Sequence, residues 1–229
     1  ARISVETRGS GSGGTLELNT GALSVLNGGQ LRSNTSAQGD AGNLVVKALN
    51  SVLLAGSDSG LFATTAVGSS GNGGLIFVDP PSVVVRDGAQ ISVSSQGSGR
   101  GGDVELYADR LTLDNRGSIT ADTVGSNGGN IRLFIAENLF LRRNSRISTN
   151  AGTAQAGGNG GNITITTPFL IAGPQENNDI SANAFSGRGG SVTINTQGIF
   201  WLVPRSRAEL ARLLGTNDPN LLDPSRLPS

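Results

Sequence analysis

Carboxylates that recur beside arginines are the residues of this chain whose types and spacing could perform acid–base chemistry. When the chain is aligned on its internal repeat, two neighbouring positions collect them. These positions hold Arg86, Asp114 and Arg142, and Asp87, Asn115 and Arg143. Lyases and hydrolases that act on polysaccharides use clustered carboxylates, often with Ca²⁺, and Arg or Lys as a base. Only two carboxylates converge here and they alternate with arginines, so the pattern favours a surface charge ladder, in which each pair contributes about 0–1 kcal/mol.

The other candidates for a catalytic or cofactor site are weaker. Asp103 and Glu105 share a predicted strand, but Asp103 aligns with Asn in other repeats, which favours a role in a turn or ladder. The Gly-rich segments 68–74 and 156–161 are followed by neither a helix nor Lys-Ser/Thr, and they lack the Asp of calcium-binding repeats. Cys and His are absent, which excludes zinc, haem and Cys or His nucleophiles. We therefore expect no catalytic residue, no metal and no cofactor.

Composition narrows the class of protein further. The 229 residues carry 17 basic and 17 acidic side chains, so no electrostatic footprint for nucleic acid or an anionic membrane is expected. No apolar run approaches membrane-spanning length. The chain begins at Ala1 and contains no Met, and we expect it to be a processed or excised piece.

A repeat of about 28 residues organises the chain. Its most visible mark is a Gly-Gly pair or a close variant. These pairs are Gly13-Gly14, Ala41-Gly42, Gly73-Gly74, Gly101-Gly102, Gly128-Gly129, Gly160-Gly161 and Gly189-Gly190. The second members are separated by 28, 32, 28, 27, 32 and 29 residues, which indicates loop insertions in two units. Such pairs mark turns that need a positive φ or positions where room is scarce.

Each repeat contains three short segments in which apolar residues alternate with polar ones, the pattern of strands with one buried face. In the first segment the inward residues are Leu16, Leu44, Ile76, Val104, Ile131, Ile163 and Val192. In the second they are Leu23, Val83, Leu111, Leu139 and Ile199, with Trp201 at a further inward position of the last unit. In the third they are Leu31, Leu61, Ile91, Ile119, Ile147 and Ile180. Three strands per repeat predict an all-β fold, a right-handed parallel β-helix of about seven coils.

The two ends of the chain fall inside a repeat. The sequence RISVETRGSGSGG at 2–14 matches the third segment at 90–102, and GIFWLV ends in a second segment. We expect a β-helix domain over 1–203 and a C-terminal extension over 204–229, which acts as a cap or a linker. Ser206 and Glu209 form a capping-box pattern and Gly215 is a stop signal, so the extension should hold a short helix. We expect this helix and the Leu221-Leu222 segment to fold back over Ile199 and Trp201.

Some outward positions carry apolar residues where the other repeats are polar. Val45 and Phe77 belong to neighbouring repeats and should touch, and Phe140 and Phe200 lie outward on the second segment. Exposed apolar clusters usually mark a contact surface, so we interpret these four residues as a contact patch for a partner chain or for an inserted loop such as 56–60. Tyr107 carries no separate role in this interpretation.

One stretch of the chain resembles a known family. Residues 158–200 contain GNGGNITI, DISANA, GGSVTI and QGIF, and they resemble the repeats of large secreted exoproteins of the filamentous haemagglutinin type, especially cyanobacterial ones. Residues 1–157 share the spacing of these repeats more than their exact motifs. The NPNG-type secretion domain of the family does not occur in this sequence. The resemblance implies a right-handed β-helix, two-partner secretion through an outer-membrane pore, and a role as an adhesin or surface fibre.

These observations predict a non-catalytic stalk or adhesin segment of a large secreted or cell-surface protein. The expected partners are a surface glycan or a protein receptor, together with the outer-membrane secretion pore, and no nucleic acid. Two alternatives remain open at this stage. One is a β-helical carbohydrate-active enzyme, which would need a clustered acidic groove. The other is a subunit of an extracellular filament in which chains associate end to end.

Overall fold

The structure, a computed structural model, describes residues 1–216 with the exception of the side chain of Arg207. The predicted fold is confirmed: the chain is all-β, and its parallel strands stack as about seven coils of a β-solenoid, followed by one short helix. The strands form two sheets, because each coil crosses one sheet with its first and second segments and the other sheet with its third segment.

The first sheet, which we name the third-segment sheet, has seven strands. In spatial order they are β1 (Arg2–Thr7), β3 (Gln30–Thr35), β5 (Gly60–Phe62), β8 (Gln90–Ser92), β10 (Ser118–Thr120), β12 (Arg146–Ser148) and β15 (Asp179–Ser181). The second, which we name the long sheet, has ten strands. They are β2 (Leu16–Leu26), β4 (Leu44–Ala55), β6 (Leu75–Asp79), β7 (Ser82–Arg86), β9 (Asp103–Asp114), β11 (Asn130–Leu141), β13 (Ile163–Thr166), β14 (Phe169–Ala172), β16 (Val192–Asn195) and β17 (Gly198–Phe200).

The first and second segments of a coil are more continuous than their sequence pattern suggests. In β2, β4, β9 and β11 they form one strand of 11 or 12 residues. The two halves of such a strand remain distinct, because the pairing register shifts between Thr20 and Ala22 and between Ile135 and Asn138. A shift of this kind bends the strand while both halves keep their apolar residues on the inner face.

The core is a set of apolar columns that run through the coils. Leu44, Ile76, Val104, Ile131 and Ile163 pair in register from coil to coil and are completely buried. The prediction of continuous burial fails at both ends of this column. Leu16 is only half-buried, and Val192 is 41% exposed, because each belongs to a terminal coil with no further coil to cover it.

Close approach between coils explains the second glycine of the repeated pairs. A Cβ on Gly129 would lie 1.7 Å from the carbonyl oxygen of Gly102, and one on Gly161 would lie 1.7 Å from that of Gly129. Neither residue has a positive φ, so lack of room between stacked backbones is what requires glycine here. Positive φ values occur instead in the turn after the second segment, for example at Asp87 and Asn115.

The predicted C-terminal helix is confirmed as α1 (Arg207–Leu214). The Ser206 hydroxyl accepts a hydrogen bond from the Glu209 amide at 3.2 Å, and Gly215 ends the helix with a left-handed φ of 65°. Leu210 is buried, and it lines a cleft of about 700 Å³ together with Ile194 and other residues of the last two coils. The helix therefore lies beside the final coil across this cleft, but it does not shield Ile199 and Trp201, which are 41% and 63% exposed. The Leu221-Leu222 segment lies outside the described residues.

Candidate functional site

The arginines and carboxylates at the end of the second segments form ion pairs between coils. Arg143 donates to Asp114 in the preceding coil, with an Nε–Oδ1 distance of 2.7 Å, and its Nη2 donates to the second oxygen of the same carboxylate. Arg142 donates to Glu176 in the following coil, at 2.9 Å from Nε to Oε2. Arg86 pairs at 2.7 Å with Asp87 beside it in the same coil, and Asp87 is joined to the next coil by a hydrogen bond from the Asn115 side chain at 2.8 Å. A charge ladder is thus present, but its ion pairs do not follow the aligned columns: Arg143 reaches Asp114 of the other column, and Arg86 pairs within its own coil. Glu176 is a member that the sequence alignment did not identify.

Two of these ion pairs, those of Asp114 and Glu176, hold the carboxylate in its charged form. The hydrogen bond from Arg143 lowers the pKa of Asp114 below its ordinary value of 3.8. The hydrogen bond from Arg142 likewise lowers the pKa of Glu176 below 4.5. A general acid must be protonated near the working pH, which requires a raised pKa. The ladder carboxylates are therefore arranged for pairing with arginine and poorly suited to donating a proton.

A second type of ladder joins the turns. Asp103 accepts hydrogen bonds from the backbone and side-chain nitrogens of Asn130 at 3.0 and 2.8 Å, and Asn130 accepts one from the Asn162 amide at 3.2 Å. The role predicted for Asp103 is confirmed. Glu105 pairs instead with Arg132, the residue beside it in the next coil, at 2.9 Å.

Asp122 lies two residues after the end of β10 in the third-segment sheet and plays a comparable role. Its carboxylate accepts hydrogen bonds from the Asn150 amide at 2.6 Å and from the Ser148 hydroxyl at 2.9 Å. Burial raises the pKa of Asp122 above 3.8, although Arg146 and these donors oppose the increase. All its partners are structural groups of the adjacent coil, so we interpret Asp122 as a link between coils.

Apolar and aromatic side chains form a surface on the outer face of the long sheet. Val45 and Phe77 are paired in register, as predicted, and both are half-buried. The Phe77 ring lies 5.7 Å from that of Tyr107, which stacks on Phe134 at 4.8 Å with an interplanar angle of 14°. We name Phe77, Tyr107 and Phe134 the aromatic ladder. Tyr107 and Phe134 were not assigned to a contact surface from the sequence, although each directly follows an inward residue of the first segment, Leu106 or Leu133.

A groove of about 470 Å³ runs beside the aromatic ladder. Tyr107 and Phe134 form its apolar wall together with Pro81, and Asp79 and Asp109 contribute carboxylates. The backbone of this region is fixed, because the carbonyl of Pro81 accepts hydrogen bonds from the amides of Asp109 and Arg110 at 2.8 and 3.0 Å. The groove combines a preformed wall with a few polar groups, as small binding sites commonly do.

Phe140 and Phe200 lie on a different part of the long sheet. They occupy one outward column but do not touch directly, since Ile171 lies between them in the register. Phe200 is 44% exposed and contacts Phe169 and Trp201, with ring centroids 6.4 and 6.0 Å apart. The four residues predicted as one contact patch thus belong to two separate surfaces, and their role as a contact patch stays a prediction.

The prediction that Trp201 lies in an inward position is wrong. Its side chain is 63% exposed and its φ is 57°. In coils three and four the left-handed turn residue is Asp87 or Asn115, two positions beyond the last inward residue. In the last coil the chain turns directly after Phe200, so Trp201 is directed out of the core.

Loop 56–60 was considered as a cover for Val45 and Phe77. Its backbone hydrogen bonds instead join the equivalent turns of the neighbouring coils, near Gly29 and Gln90.

Within residues 1–216, no three acidic side chains are close enough together to hold a metal ion. The same part of the chain contains no helix of sufficient length and apolarity to cross a membrane. Comparison with family models, with curated proteins and with solved structures finds no match to this chain. The fold and surface define a parallel β-solenoid whose coils are joined by charge and asparagine ladders and whose outer face carries aromatic side chains.

Proposed function

We propose that this chain is a non-catalytic structural module, a stalk or adhesin segment of a larger protein that is secreted or displayed at the cell surface. The observation that carries the proposal is the pairing of the ladder carboxylates. Asp87, Asp114 and Glu176 are each bound by an arginine. Catalysis on polysaccharides uses two carboxyl groups with different protonation states facing one substrate, and this surface uses its acids to join coils.

The repeated architecture supports a mechanical role. Each coil contacts only its neighbours, so the stability of the module is a sum of local interfaces and its length follows from the number of coils. The resemblance of residues 158–200 to filamentous haemagglutinin-type repeats supports secretion by a two-partner route and presentation outside the cell. The partners that this proposal assigns are the outer-membrane pore during export, and a surface glycan or protein receptor afterwards.

Surface accessibility tests the proposal. Intact cells that produce the protein should be labelled by antibodies against this chain, and brief protease treatment of whole cells should remove the signal. A cytoplasmic protein provides the control for lysis. Detection only after the cells have been broken would refute the assignment as a secreted or surface module.

A separate assay addresses catalysis. Purified protein should release no oligosaccharides from a panel of acidic polysaccharides, with and without Ca²⁺. Release that is lost in Asp114→Asn or Asp87→Asn would establish the enzyme alternative instead.

A filament subunit is the second candidate function, and exposed apolar residues on the outermost described coils favour it. Ile3 in the first strand is 53% exposed, and Ile199 in the last strand is 41% exposed. Strand edges with exposed apolar residues are templates for pairing with another chain. Sedimentation over a wide concentration range separates the two functions, because a filament subunit forms a ladder of oligomers and a stalk module sediments as one species.

A further inference from the structure

The groove beside the aromatic ladder contains two acidic side chains that have no partner. Within the described residues, the carboxylates of Asp58, Asp79 and Asp109 have neither an ion pair nor a hydrogen bond to their side chains. Two of these three face the same groove. In a surface where acids are otherwise paired, this leaves a local excess of negative charge at one place.

The neighbouring cations do not compensate that charge. Lys47 is the register partner of Asp79, but its Nζ lies 3.7 Å from Glu17. Arg110 follows Asp109 in the chain, but its Nε lies 2.6 Å from Glu137. Both basic side chains are therefore directed to other carboxylates, and the groove remains acidic.

The aromatic wall adds a surface on which a cation can stack. Tyr107 is enclosed by Phe77 on one side and Phe134 on the other. Phe134 has a ring neighbour on one side only, since its partner in the next coil is Thr166. An Arg or Lys head group is attracted to an open aromatic face within about 6 Å, and Arg is the more frequent partner. The residue types of the groove thus favour a positively charged ligand.

We propose that this groove binds an extended basic peptide segment, rich in arginine, of a protein partner. The groove spans four successive coils, from that of Asp79 to that of Thr166. At about 4.8 Å per coil this is roughly 15 Å, the length of about four extended residues. Asp79 and Asp109 bind the cationic groups, and Tyr107 and Phe134 contact the side-chain stems. The biological role rests on the proposed adhesin function, whereas the binding itself does not.

The sole tyrosine of the chain provides a reporter at the site. Protein labelled with 3-fluorotyrosine has one ¹⁹F resonance, that of Tyr107. Titration with tetra-arginine amide should shift this resonance saturably, and added salt should weaken the binding because it screens exposed charges. The peptide in which each arginine is replaced by citrulline keeps the shape and hydrogen-bonding groups but lacks the charge, and it should produce no saturable shift.

Matched variants assign the interaction to the groove. Asp79→Asn combined with Asp109→Asn should weaken tetra-arginine binding by roughly twofold to thirtyfold, as expected for the loss of two exposed charge pairs. Asp58→Asn removes the third unpaired carboxylate, which is not in the groove, and should leave the affinity unchanged. Phe134→Leu keeps an apolar side chain without an aromatic face and should also weaken binding. Far-ultraviolet circular dichroism confirms that each variant is folded.

Three results would overturn the proposal. The first is the lack of any saturable shift with tetra-arginine amide. The second is unchanged affinity in the variant that lacks both groove carboxylates. The third is equal binding of neutral maltotetraose or a sulfated oligosaccharide, which would make the groove a glycan site. A positive titration together with negative labelling of intact cells would leave the groove assignment in place and refute only the proposed function.

Discussion

Replacement of Gly129 by alanine tests how closely the coils are packed. The added Cβ would lie 1.7 Å from the carbonyl oxygen of Gly102, and real Cβ atoms essentially never come within 3.0 Å of another heavy atom. Coils four and five would have to separate locally by about 1.3 Å. The three nearest atoms are all backbone atoms of Gly101 and Gly102, so no side chain can rotate away to make room.

The cost can be worked out from the hydrogen bonds that flank the clash. The amide of Gly101 donates to Asn127 at 3.0 Å, and the amide of Asn130 donates to Asp103 at 3.0 Å. A separation of about 1.3 Å removes both bonds, which are only partly buried, and each such bond contributes about 0.5–1.5 kcal/mol. We therefore expect Gly129→Ala to lower the free energy of unfolding by roughly 1–3 kcal/mol.

The assay is urea denaturation followed by circular dichroism, with Gly125→Ala as the matched control. A Cβ on Gly125 meets only the Cβ of Ala156 at 3.5 Å, an ordinary contact, and its φ is not positive. This variant should be neutral or should stabilise the fold by up to about 1 kcal/mol, because alanine lowers the conformational entropy of the unfolded chain. If Gly129→Ala unfolds at the same urea concentration as the parent chain, the close approach of the coils is incorrect.

Three further predictions concern the core, the ion pairs and the helix. Ile131→Ala should cost about 2–5 kcal/mol in the same denaturation assay, whereas Val192→Ala in the same column should cost far less because Val192 is already 41% exposed; equal losses would refute the column. Asp114 and Glu176 have lowered pKa values in the folded state, so their contribution to stability is complete above 3.8 and 4.5 and is lost as the pH falls through the lowered values. The urea midpoint of the Asp114→Asn, Glu176→Gln variant should therefore fall less between pH 6 and pH 3 than that of the parent chain, and an equal fall would contradict this. Leu210→Asp should release the helix and speed tryptic cleavage within 205–212, with the coils still resistant; a cleavage rate equal to that of the parent chain would show that the buried Leu210 does not hold the helix.

The strand positions could be predicted from the sequence because each is repeated several times. A single pair such as Ile131 and Leu133 is ambiguous, but its recurrence at a fixed distance from the Gly pair in seven units is not. The helix was equally accessible, since Ser206, Glu209 and Gly215 act through local capping geometry. Local and periodic sequence signals were therefore sufficient to predict the coils, their register and the C-terminal helix.

Features that depend on the terminal coils and on contacts between outward side chains were not accessible in this way. Burial of Val192 was overestimated because periodicity does not reveal that a coil has a neighbour on one side only. Trp201 was misplaced because a turn two residues early breaks the alignment on which its position rested. Tyr107 and Phe134 are outward residues of adjacent coils that stack on each other. They were missed because only outward apolar residues at otherwise polar positions were considered, and neighbouring aromatic residues were not.

The direction of the hydrogen bonds between coils has a mechanical consequence. Parallel strands pair from one coil to the next through the whole stack, so these bonds lie along the axis of the solenoid. A pulling force along that axis loads all the coil interfaces in series, and the weakest interface separates first. A coil of about 28 residues contributes only about 4.8 Å to the stack but roughly 95 Å when extended. The module therefore lengthens in discrete steps under tension and dissipates work at each step, as an extensible tether does.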